Sequence, residues 1–162
     1  MPEAPFDKAV AQRWFAVELN NTAWDWLEAE NYDARGAERI THAAHASCYH
    51  WMQVGGAANH ARAACLVANV YAAVGDGPNA IRHARRCIEL SKANAGDLAD
   101  WDWAFAYDVL ARAHAAAGET KQADLVRRQA REYGNKIADE QDKTFFEKWH
   151  RAGNWHDLQS DI

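Results

Sequence analysis

The residues best suited to chemistry gather in one short stretch. His42, His45 and Cys48 form an H-x-x-H-x-x-C pattern, with His50 close behind. Imidazole nitrogens and a thiolate are ligands that zinc accepts. Steps of three residues drift by only about 60° around a helix, so the three side chains share one broad stripe. A zinc site also needs a fourth ligand and converging geometry, and the chain has neither H-E-x-x-H nor C-x-x-C. The competing reading is a His-rich helix face with Cys48 as a small buried hydrophobe. A carboxylate-bridged bundle site uses Glu-x-x-His on two helices. Glu38 and His42 are instead four residues apart, with no second copy.

Other chemistry is scarcely signalled. There is no G-x-S-x-G elbow and no Gly-rich phosphate loop. No carboxylate pair stands in a distinctive setting, so the expectation is a protein that is not an enzyme and holds no cofactor. Arg82, Arg85 and Arg86 form a basic cluster, read as a solvated or salt-bridged helix face in preference to a phosphate site. Asp108 and Arg112 are spaced for an i,i+4 ion pair on a helix surface.

The elements that position these residues follow from composition. The chain has 162 residues, one domain's worth, with 49% apolar and 25% charged residues and a net charge of −5. It carries 35 Ala against 8 Val, 5 Ile and 4 Thr, which argues for helices and against a sheet. Eight Trp, 5 Tyr and 5 Phe argue against disorder. The N-terminal residues lack the basic and apolar regions of a signal peptide. The longest nearly apolar stretch, Ala63 to Val74, is too short for a membrane span. Three Cys without framework spacing fit a reduced, cytoplasmic protein. No segment is basic enough to make nucleic acid the expected partner.

Punctuation then predicts about seven helices. The first starts at the N-cap Asp7 and runs to about Tyr32, with a bend at Asn20-Asn21. The second covers 36–54 and stops at Gly55-Gly56. Asn59 caps a third, which Gly75 closes. Gly77-Pro78 opens a fourth, ending near Lys92. Asp97 caps a fifth, ending at Gly118. A sixth spans about 120–133 and a C-terminal capping helix about 139–150. Apolar positions recur at i, i+3, i+4 and i+7 in Ala64, Val67, Ala68 and Tyr71, and again in Tyr107, Leu110, Ala111 and His114. Short connections make neighbours antiparallel.

Aligning Gly75 with Gly118 places Tyr71 on His114, Val67 on Leu110, Ala80 on Ala123 and Cys87 on Ala130. Val67, Ala68, Tyr71, Ala80 and Cys87 then take places in a known signature, with Ala64 where Trp is usual. A degenerate earlier unit has Trp24 and Leu27 in the Trp and Leu places. This pattern resembles the tetratricopeptide repeat, with units at about 21–60, 61–94 and 104–135. The spacing of 40 to 43 residues exceeds the usual 34, His114 stands for Tyr, and no Pro ends either unit. The resemblance implies antiparallel hairpins stacked in a right-handed superhelix; the alternative is a plain helical bundle.

The same resemblance implies that the first, third and fifth helices line a concave face. Its ligand-facing positions correspond to Asp25, then Arg62, Cys65 and Asn69, then Phe105, Asp108 and Arg112. A subset of the family uses an Asn at the place of Asn69 to hold a peptide's C-terminal carboxylate. The Lys expected four residues earlier is Cys65, which leaves Arg62 to supply the charge.

Trp24 and Trp26 are two residues apart, so on a helix they point about 200° from each other. Trp101 and Trp103 do the same. One Trp of each pair is expected at a second interface or partly exposed, packed under a loop or on a partner. Three functions remain in view: a peptide- or protein-interaction module, a metal- or small-molecule-binding bundle, and a homo-oligomeric regulatory subunit such as a homodimer.

Overall fold

The structure is a computed structural model, and it describes residues 6–158. Seven α-helices follow one another: α1 (Lys8–Glu28), α2 (Ala34–Val54), α3 (Ala57–Ala73), α4 (Gly77–Ala93), α5 (Asp100–Ala116), α6 (Thr120–Gly134) and α7 (Glu140–Arg151). A 3-10 turn, Ala95–Asp97, separates α4 from α5. The described residues contain no strand. The all-α class is as composition predicts.

Aspartates start four of the helices by accepting orphan backbone N–H groups. Asp7 accepts from Val10 N at 3.0 Å and Asp33 from Gly36 N at 2.8 Å. Asp76 accepts from Asn79 N at 3.2 Å, and Asp139 from Gln141 N and Asp142 N at 2.9 Å each. Several expected boundaries move. α1 ends at Glu28, because Glu30 turns the chain with φ 53°. Asn59 is not the cap of α3. It lies inside the first turn, and its side chain reaches back to accept from Gly56 N at 3.1 Å. Asp97 belongs to the 3-10 turn, and Asp102 performs the same reach-back for α5, accepting from Ala99 N at 2.9 Å.

The two aligned glycines do end their helices in the same way. Gly75 has φ 83° and Gly118 has φ 73°. After each, the next N–H bonds back to a carbonyl five residues earlier: Asp76 N to Tyr71 O and Glu119 N to His114 O, both at 2.9 Å. This doubly bonded cap requires a left-handed residue, which glycine adopts at little cost.

α1 with α2, α3 with α4, and α5 with α6 form three antiparallel hairpins. Each packs on the next, and α3 touches both α1 and α5. Alanines such as Ala23, Ala44, Ala68, Ala84 and Ala104 are fully buried where the helices meet. Small side chains let the axes approach closely. At Gly77 an added Cβ would lie 2.5 Å from the Ala117 Cα, so the start of α4 nearly touches the end of α5. α7 leaves this alternation and lies against α5 and α6.

Candidate functional site

An open cleft of about 360 Å³ lies on the face formed by α1, α3 and α5. α1 contributes Asn20, Trp24 and Glu28. α3 contributes Ala61, Arg62 and Cys65, and α5 contributes Trp101, Asp102 and Phe105. Cys87 and Ser91 of α4 reach in from behind, and Asp142 and Phe145 of α7 close one side. Three of the expected groove residues, Arg62, Cys65 and Phe105, therefore meet in one place.

The cleft is aromatic at its centre. Phe105 stands edge-on to Trp101, with centroids 6.0 Å apart, and to Trp24 at 6.5 Å. It lies roughly parallel to Phe145 at 6.0 Å. Arg62 grips the buried Asp102 with both ends of its fork, Nε to Oδ1 and Nη2 to Oδ2, each 2.8 Å. Its guanidinium also lies 4.5 Å from the Trp101 ring centroid. That hydrogen bonding raises the Arg62 pKa further. The Cys65 thiol is buried, and its neighbour Cys87 together with desolvation keeps it firmly protonated.

The other groove positions are used internally. Asp108 is fully buried. It accepts from Arg112 Nε at 2.7 Å, Trp149 Nε1 at 3.0 Å and His150 Nδ1 at 2.6 Å. Burial alone would raise its pKa, but the Arg112 charge and the His150 hydrogen bond outweigh that and hold it at about 2. Arg112 also donates to Trp149 O at 2.7 Å and Ala152 O at 3.1 Å. Its guanidinium sits between Trp149 and Trp155, 4.8 and 4.2 Å from their centroids. The i,i+4 pair thus forms as spaced, but in the interior and not on a solvated face, because α7 and the segment after it cover it.

Asn69 is likewise buried, 2% exposed, and donates to Cys65 O at 3.2 Å on its own helix. It is not among the residues lining the cleft. The carboxylate clamp implied by Asn69 and Arg62 is therefore not assembled: one is sealed in, and the other has most of its fork occupied by Asp102. Asp25 is exposed and outside the cleft.

The His-rich stripe on α2 does not converge either. His45 Nε2 pairs with the Tyr71 hydroxyl at 2.9 Å, and Tyr71 stacks on His83 of α4. Burial, the nearby Arg82 and His45 lower the His83 pKa to about 4. His42 is exposed, and burial pushes up the Cys48 thiol. Among the described residues, no three His, Cys, Asp or Glu side chains are placed to hold a metal ion. Arg82, Arg85 and Arg86 are exposed, with Arg86 paired to Glu89 at 3.3 Å.

The tryptophan pairs split as their spacing demands. Trp24 meets Phe105 and Trp149, whereas Trp26 packs on Tyr32. Trp101 faces the cleft, whereas Trp103 stacks on Tyr133 of α6. All four are half-buried; the strongly exposed one is Trp14. Sequence reasoning missed Asp102, Cys87, Glu28 and Asp142 as cleft residues. No local pattern points to Asp102, because its partner Arg62 lies 40 residues earlier in the chain. No protein-family model, curated protein or solved structure matches this chain.

Proposed function

We propose that this chain is a non-enzymatic binding module, a tetratricopeptide-like stack whose cleft receives a segment of a partner protein. The observation that carries the reading is the open aromatic cleft beside α7. The chain's own amphipathic helix α7 packs there on α5 and α6, with Phe146 and Trp149 buried and Trp149 meeting Trp24 of α1. A groove that already accommodates one helix offers apolar surface and polar anchors of the kind peptides use. The matching glycine turns after α3 and α5 support the repeat reading.

The test is selection of a random peptide library on the protein, compared with the Asn20→Trp variant, which plugs the cleft from an α1 position. Enriched peptides that bind at least tenfold more weakly to the variant, a loss of about 1.4 kcal/mol, are expected. No enrichment, or equal binding to the plugged variant, would overturn the reading.

A second reading, self-association, has its own observation. Phe6 and, on α1, Val10, Trp14, Phe15 and Val17 are 42–67% exposed, and Tyr49 and Met52 of α2 lie at 58% and 64%. Apolar patches of this extent mark interaction surfaces. A second copy would cover them, giving a dimer by light scattering at tens of micromolar that Trp14→Glu converts to monomer. A wild-type monomer at that concentration would remove this reading.

A further inference from the structure

We infer that the side chain this cleft takes from its partner is a cation, an arginine or lysine whose apolar stem lies along the aromatic walls. The inference rests on the binding reading above and adds the chemistry of the occupant. Charge complementarity is the first argument. The cleft holds three carboxylates, Glu28, Asp102 and Asp142, against one cation, Arg62. Arg62 and Asp102 neutralise each other through two hydrogen bonds of 2.8 Å. Glu28 and Asp142 are exposed and form no ion pair among the described residues, so the rim keeps a net negative field. An anion entering would meet that field, whereas a basic group would complete it.

The walls supply the second argument. Aromatic faces attract cations through the ring quadrupole. The protein already shows this within the cleft, where the Arg62 guanidinium lies over Trp101. Trp24, Phe105 and Phe145 offer further aromatic surface beside it, and Phe145 is 48% exposed.

Three probes of one shape test the inference: phenethylamine, 2-phenylethanol and phenylacetate, which are cationic, neutral and anionic at pH 7. Binding is followed by the indole N–H resonances of Trp24 and Trp101. Phenethylamine is expected to bind at least tenfold more tightly than 2-phenylethanol, and phenylacetate more weakly than either. The Glu28→Gln/Asp142→Asn double variant changes only exposed groups and should bring the amine and the alcohol within threefold of each other. Equal or tighter binding of the neutral or anionic probe to the wild-type protein would overturn the inference while leaving the cleft a binding site. So would an amine preference that survives in the double variant. No perturbation by any probe would overturn the inference and the binding reading together.

Discussion

Asp108 shows how a single buried charge organises its surroundings. Its two oxygens take three donors from two helices, and an unpaired carboxylate there would be costly. Asp108→Asn should therefore lower stability by about 3–5 kcal/mol, the range for breaking a buried pair. Chemical denaturation checks this, with Asp142→Asn, on the exposed rim, staying within about 0.5 kcal/mol of wild type. His83 gives a different signature. Its pKa falls from 6.5 to about 4 because burial and Arg82 oppose the charged form. The unfolded chain takes up that proton first as pH falls, so the stability is complete above pH 6.5 and is lost as pH drops toward 4. Melting temperature measured across that interval should decline in the wild type and decline less steeply in His83→Gln. At this scale the sequence was half legible. The Asp108–Arg112 spacing was plain, but whether water or a tryptophan would face it depended on α7, some 40 residues away.

Helix order and number could be read from punctuation, because glycine after an apolar run and Pro78 near the start of α4 have local causes. The misplaced starts at Asn59 and Asp97 have a local cause too. Asn59 and Asp102 each stand at the third helical position and reach back to the N-cap N–H, a place that suits the same residue types as the cap itself. Gly134 is the element whose meaning the sequence hid. It is the final residue of α6, and an added Cβ would overlap the Phe146 ring. Gly134→Ala should cost about 1–3 kcal/mol through overpacking. Gly96→Ala, where no atom lies within 4 Å of the new Cβ, should be neutral within about 0.5 kcal/mol in the same thermal-melt series.

The three hairpins use contacts close in sequence, and their antiparallel order followed from short loops. The course of the C-terminal segment did not, because no local pattern encodes a return to the start of the chain. Gly153 N donates to Glu30 Oε1 at 3.2 Å, and His156 Nε2 to Ala72 O at 2.6 Å. Trp149 stacks edge-on to Trp24 at 5.1 Å. A chain ending after Ala138 should expose Trp24, Phe105 and the Asp108–Arg112 pair together. Strong binding of an apolar dye and a broadened calorimetric transition are the expected outcomes; a sharp transition at the wild-type temperature would show the three hairpins to be self-sufficient. The return of the C-terminal segment also sets a limit on growth. Solenoids lengthen by duplicating a unit, because each repeat needs only its neighbours. Here a fourth hairpin inserted between α6 and α7 would carry Trp149 and Gly153 out of reach of Trp24 and Glu30, so these contacts across the stack admit three hairpins and no more.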